Sequence, residues 1–236
     1  LRARAERRET EAQAMLAEAE KEFRKGVELA PESVEPWIAL VQFYARMQEN
    51  AKAEKAITEA RAKVKGGIAP LAMGQVYEVL GKLDEAETQA RSALADARAT
   101  LGENHYLTGV AQLGLGSILA ERGQSAAALD EVRQAHAVLA KALGSDHADT
   151  LMAQVALADL ERETGDLKAA AEDARQVLDA ASKTLPAGHP RLGKAELVFA
   201  RVAAQGGDCA HAVPVFTSAA QALAKGGVAM RSELAA

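Results

Sequence analysis

The sequence is short of the residues from which most folds build cross-links and sheets. Among 236 residues there is one cysteine, Cys209, and only 3% are aromatic. A lone thiol excludes an internal disulfide framework and suits a reducing compartment, so a cytoplasmic protein is expected. With few aromatics, and alanine and leucine dominating the apolar set, many small helix-to-helix contacts are favoured over a sheet. Positive charge is in deficit as well, 28 Lys and Arg against 33 Asp and Glu, for a net charge of −5. The sequence-independent attraction to phosphate is therefore missing, and nucleic acid is not an expected partner.

Long apolar runs are also lacking. The longest uncharged stretch, Asn104 to Ala120, is broken by His105, Gln112, Ser117 and three glycines, so no membrane insertion is expected. The chain begins at Leu1, and "LRARAERRET" has no apolar h-region, so it reads as neither a signal peptide nor a natural start. The expectation is a piece of something longer.

What the chain does contain is an ordinary globular balance, 49% hydrophobic and 26% charged, arranged with a period. Gly81, Gly123, Gly165 and Gly207 are 42 residues apart, and Ala86, Ala128, Ala170 and Ala212 follow each at an offset of five. Ahead of the glycines lie Met73, Gly74 and Tyr77; Leu115, Gly116 and Leu119; Leu157 and Ala158, with Glu161 a departure; then Phe199, Ala200 and Ala203. Spacings of i, i+1 and i+4 share one helical stripe, and a small residue there lets a second helix approach closely. After the glycines, residues such as Ala128, Val132 and Ala135 recur at i, i+4 and i+7, the inner stripe of a second helix. Asp84, Ser125, Asp166 and Asp208 stand where a short polar side chain can cap that helix. Each unit is therefore expected to be a helical hairpin.

The stretch "MGQVYEVLGKLDEAETQARSA", Met73 to Ala93, resembles the tetratricopeptide repeat signature of large, Gly, Tyr, Gly, Ala, large and Ala at fixed offsets. Upstream, Ala19, Phe23, Gly26 and Pro31 resemble the end of one such repeat, and Trp37, Leu40, Tyr44, Ala53, Ile57 and Ala60 the next. There the period is 33, close to the usual ~34, whereas from about residue 96 it is 42. The longer form is similar to kinesin light chain repeats and to regulatory tails of bacterial signalling proteins, some serine/threonine kinases among them. The expected organisation is a charged helical extension over 1–14, short repeats over 15–95, long repeats over 96–225, and a tail or the start of a capping helix over 226–236. The expected fold is an all-α, right-handed superhelical solenoid of about five stacked antiparallel hairpins plus an N-terminal helix.

Three histidines, His105, His147 and His189, recur in the linkers at the same 42-residue interval. A shared zinc ion would need every nitrogen within ~2.1 Å. Equivalent points two helices apart in a stack lie about 16 to 20 Å from each other. No metal is expected, and with no nucleophile and orienting partner repeating beside them, no catalytic role either. The structural reading is that each ring packs at the start of the next helix, meeting unpaired backbone groups. Cys209 and His211, two apart on a helix, point away from each other and read as a small buried thiol and a helix-face imidazole. "KVKGG", Lys63 to Gly67, lacks a phosphate-loop pattern and reads as a turn, and Lys225, Gly226 and Gly227 mark a helix stop.

The family resemblance implies a concave groove lined by the first helices. Six residues before each turn, the projected column is Gln42, Gln75, Ser117, Asp159 and Arg201. The inner rim adds Arg46, Glu78, Glu121, Arg162, Glu163 and Gln205. Ten residues before, Ile38, Leu71, Leu113, Val155 and Leu197 are uniformly aliphatic, which argues against a carboxylate clamp of lysine and asparagine and leaves groove floor and core both open. The implied function is non-catalytic and without cofactor: a scaffold or adaptor binding a protein or peptide segment. The alternative is the regulatory or oligomerising tail of a larger signalling enzyme such as a bacterial kinase, and a homo-oligomer stays open.

Overall fold

The computed structural model describes residues 2–33, 35–64, 77–78 and 81–225. Every regular element among them is a helix: α1 Arg2–Leu29, α2 Glu35–Arg46, α3 Asn50–Lys63, α4 Leu83–Leu101, α5 Tyr106–Glu121, α6 Ser125–Leu143, α7 Ala148–Thr164, α8 Leu167–Thr184, α9 Pro190–Gln205 and α10 Cys209–Lys225. The fold is an all-α helical-repeat solenoid. The chain divides into two compact units, Leu1–Asp96 and Ala97–Ala236, the division falling inside α4.

In the first unit, α2 buries Trp37, Leu40, Val41 and Tyr44, a stripe at i, i+3, i+4 and i+7 that one face of a helix can present. It meets Ala53, Ala56, Ile57 and Ala60 of α3, with Val27 of α1 completing the cluster. The Tyr44 hydroxyl donates to Glu20 of α1 at 2.8 Å, and Lys52 of α3 donates to the other oxygen of that carboxylate at 3.0 Å. These donors hold the Glu20 carboxyl below its usual range, the Tyr44 hydroxyl contributing most. One carboxylate thus ties three helices. α1 runs without a break through residue 15, and Met15 and Leu16 are exposed on it.

In the second unit, α5/α6, α7/α8 and α9/α10 are antiparallel hairpins stacked in order. Ala128, Val132, Ala135 and Leu139 of α6, and Ala170, Ala174, Val177 and Ala181 of α8, are fully or almost fully buried. The small stripe is needed because the backbones approach closely. A Cβ on Gly116 would fall 2.5 Å from Val132 Cγ2, inside any tolerable contact.

Each hairpin turns by the same device. The amide of Gln124 donates to the Leu119 carbonyl, Asp166 to Glu161 and Asp208 to Ala203, at 2.9, 2.8 and 2.8 Å. In the first unit Lys82 donates to Tyr77 and Glu49 to Tyr44 in the same way. The residue before each donor takes the left-handed conformation: Gly81 φ 68, Gly123 φ 74, Gly165 φ 94 and Gly207 φ 87. In the α2–α3 turn that position is Gln48, φ 57, the one non-glycine with positive φ among the described residues.

Several sequence expectations need correction. Of the four proposed caps, Asp166 and Asp208 act and Ser125 does not. Asp166 accepts from the Ala169 amide and Asp208 from the His211 amide, at 3.1 and 3.3 Å. Ser125 is already the first residue of α6, which starts one residue earlier than a cap at Ser125 implies, and Asp84 lies in the first turn of α4, which starts at Leu83. Cys209 is exposed, not buried, since it opens α10 at the rim of the hairpin. His211 bonds the Asp208 carboxylate at 2.9 Å. The expectations at Leu71, Met73, Gly74 and Gln75, at Gly66 and Gly67, and over 226–236 lie outside the described residues.

The long repeats also carry a buried polar series that the apolar stripes did not reveal. Gln112 donates to Glu131 and Gln134 at 3.4 and 3.0 Å; 42 residues on, Gln154 donates to Asp173 and Gln176 at 3.2 and 3.3 Å. At the next step Glu196 accepts from Ser218 at 2.8 Å. Buried polar groups are tolerable when partnered, and the pairing fixes the helix register within each hairpin.

Candidate functional site

The second unit holds an open cleft of about 410 Å3 on α5, α7 and α9. Its lining repeats at 42 residues. Leu113, Val155 and Leu197 form one row, Ser117, Asp159 and Arg201 a second, Met152 and Lys194 a third, and Ala156 and Val198 a fourth. The helices present these rows because offsets of 3, 4 and 7 residues share one face. Val155 and Leu197 are almost fully covered, whereas Leu113 is half-buried, so the aliphatic row is both floor and packing.

Charge in the cleft is organised around Asp159. One carboxylate oxygen accepts from Arg162 at 2.7 Å and the other from Arg201 of the next hairpin at 3.4 Å. Arg162 also donates to Glu163 and, across hairpins, to Gln205, both at 3.4 Å. Glu163 in turn accepts from Ser125 at 3.1 Å. The Ser117 hydroxyl donates to the Leu113 carbonyl on its own helix. Lining side chains alone count Lys194 and Arg201 against Asp159, one excess positive charge in a chain of net charge −5. These pairs are partly exposed, so they contribute little to stability and serve mainly to hold the guanidinium groups in place.

Of the projected groove residues, the structure gathers Ser117, Asp159 and Arg201 in the lining, with Arg162, Glu163 and Gln205 linked to them by hydrogen bonds. Glu121, at the end of α5, is exposed and does not line the cleft. Gln42 and Arg46 on α2 and Glu78 belong to the first unit, and Gln75 is outside the described residues. Sequence reasoning missed Met152, Ala156, Lys194 and Val198. They lie thirteen and nine residues before the turn glycines, where continuing the same stripe one turn towards the helix start would have found them.

The linker histidines are helix caps. His105, His147 and His189 each take an extended backbone conformation, and each Nδ1 accepts from the amide two residues on, that of Leu107, Asp149 and Arg191, at 3.2, 3.2 and 3.1 Å. This satisfies one of the unpaired amides that open a helix. Among the described residues no group of three His, Cys, Asp or Glu side chains is placed to hold a metal ion, and no helix is long and apolar enough to cross a membrane.

With repeat geometry, turn chemistry and cleft in view, family models described as tetratricopeptide repeat match residues 68–141 and 150–191. The chain belongs to the tetratricopeptide repeat family. No curated protein sequence matches it. Among solved structures the chain is similar to BtubC (BKLC) from P. vanneervenii, at 18% identity and TM-score 0.66, with 90% of this chain and 89% of that one covered. A kinesin-light-chain-type array of nearly identical TPR-like repeats from Podosopora anserina aligns at 22% identity and TM-score 0.62, over 83% of this chain and 97% of that one. The type IV pilus biogenesis factor PilW aligns at 18% identity and TM-score 0.57, over 88% and 86%. At these identities the likeness is one of fold. Tetratricopeptide repeats are in general protein–protein interaction modules, and that coarse description applies to this chain.

Proposed function

We propose that the protein is a non-catalytic scaffold or adaptor whose second unit holds a segment of a partner protein in the α5–α7–α9 cleft. One observation carries this reading: four rows of side chains, each repeated at the same interval, converge on a single cleft with an aliphatic floor and a charged wall. A solenoid needs such side chains on its paired face for packing. Placing Lys194, Arg201 and Asp159 on an open face does nothing for the core, and it suits recognition of an extended or helical segment by apolar anchors and charge pairing. The surface is largely preformed, so association requires little rearrangement. An exposed, unpaired thiol at Cys209 suits the reducing cytoplasm.

The test is site-directed photo-crosslinking. A benzophenone amino acid in place of Ser117, inside the cleft, captures a discrete partner, and the same group in place of Arg175, exposed on α8, does not. Equal capture from both positions would remove the cleft from consideration.

A further inference from the structure

Beside the cleft, a second cavity of about 110 Å3 opens between α7, the end of α8 and the first half of α9. Its walls are apolar: Leu151, Val177, Ala181, Leu185 and Ala195 lie around it, and the polar groups Asp146, Thr184 and Arg191 stand at its margin. Met152 and Val155 line both spaces, so the cavity is a side chamber of the cleft with those two residues between them. Met152 is only half-buried, and its unbranched thioether can swing without straining the backbone.

Size and polarity narrow the occupant. A cavity of roughly 150 Å3 lined by aliphatic and aromatic groups stays dry and accepts benzene. A space of about 110 Å3 with similar walls is therefore matched to a butyl-sized group and too small for an indole. Water gains few hydrogen bonds there, so an aliphatic side chain is favoured over solvent. The wall of the cleft alongside presents the Lys194 and Arg201 cations, whose hydrogen-bond donors suit a partner bearing a carboxylate.

We propose that the α7–α8–α9 cavity is an anchor pocket that takes one leucine- or methionine-sized side chain from an acidic peptide segment, whose carboxylate lies against Arg201 and Lys194. This rests on the reading of the cleft as a peptide site. The pocket supplies side-chain selectivity and the charged wall supplies orientation.

The experiment uses the full chain and a random dodecapeptide display library, followed by affinity measurement on the selected peptides. The expected result is enrichment of leucine or methionine within a few residues of aspartate or glutamate. Ala181→Met fills the pocket and should weaken binding by about tenfold or more at a temperature where circular dichroism shows the variant folded. Replacing the aliphatic peptide residue by alanine should weaken binding to the parent by a similar factor and to the filled variant hardly at all. If Ala181→Met does not fold, Ala148→Leu at the half-buried margin serves in its place. Peptides that lose affinity on Arg201→Glu and Lys194→Glu but ignore pocket filling, or that prefer tryptophan, would overturn the anchor pocket and leave the cleft reading standing. An absence of enrichment, or peptides indifferent to both kinds of variant, would overturn both. Self-association of the chain that disappears on Ala181→Met would show a second copy to be the occupant and would also overturn the proposal.

Discussion

Individual residues decide how each helix begins, turns and tolerates charge. His147 caps α7 through its Nδ1, so His147→Ala should destabilise the protein by about 1 kcal/mol, measured by urea denaturation. Gln48 occupies a left-handed position that glycine holds in the other turns, and Gln48→Gly should stabilise by roughly 0.5–1 kcal/mol, seen as a higher denaturation midpoint. Glu161 is the sharpest departure. It occupies the position that Leu119 fills one repeat earlier, its side chain is only 6% exposed, and one carboxylate oxygen has no partner. Burial, then the nearby Asp173 carboxylate, push its pKa from 4.5 up to about 7, against the pull of Arg133 at 3.5 Å. Between pH 4.5 and 7 the folded state therefore binds a proton that the unfolded state has released, and stability falls as pH rises through that window. His136, whose pKa burial lowers from 6.5, acts in the opposite sense, its contribution being lost as pH falls. The difference between parent and Glu161→Leu isolates the carboxylate. That variant should be the more stable by about 1–3 kcal/mol above pH 7, with the gap closing towards pH 5. A gap independent of pH would contradict the buried-carboxylate assignment.

At the level of helices, two glycines do different jobs. Gly116 exists because α5 and α6 nearly touch, so Gly116→Val should cost about 2 kcal/mol or more, and Val132→Ala should recover part of the loss in the double variant. Gly123 has open space around it, and Gly123→Val fails through its φ of 74 alone, so the same Val132→Ala change should not rescue it. Thermal melts of the four variants separate crowding from backbone strain. These elements were legible in the sequence because the small-residue stripe and the turn glycines recur at a fixed interval, and stacked hairpins require that recurrence. The Gln48 turn was not legible, since no glycine marks it and only the offset from Tyr44 points there. Nor were the paired Gln112 and Gln154, because a buried amide looks like a surface residue until its partners on the neighbouring helix are known.

For the molecule as a whole, the sequence supplied rows but not volumes. Ser117, Asp159 and Arg201 could be aligned by counting from the turn, yet their joint cleft, and the way Asp159 shares itself between Arg162 and Arg201, depend on how far adjacent hairpins are offset. Glu121 shows the limit of the projection, since it follows the same count and still lies outside the lining. If the cleft takes an acidic segment against Lys194 and Arg201, as proposed, the association rate of that segment with a chain of net charge −5 should fall as salt rises. Arg162→Glu with Arg201→Glu should leave the helical content unchanged and abolish that salt dependence, followed by stopped-flow binding. The most direct measurement is methyl-resolved NMR of the full chain with the crosslinked partner's segment. Shifts should centre on Leu113, Met152, Val155, Leu197 and Val198, with exposed Val213 silent; shifts centred on Val213, with the cleft methyls unmoved, would contradict a binding surface on α5, α7 and α9.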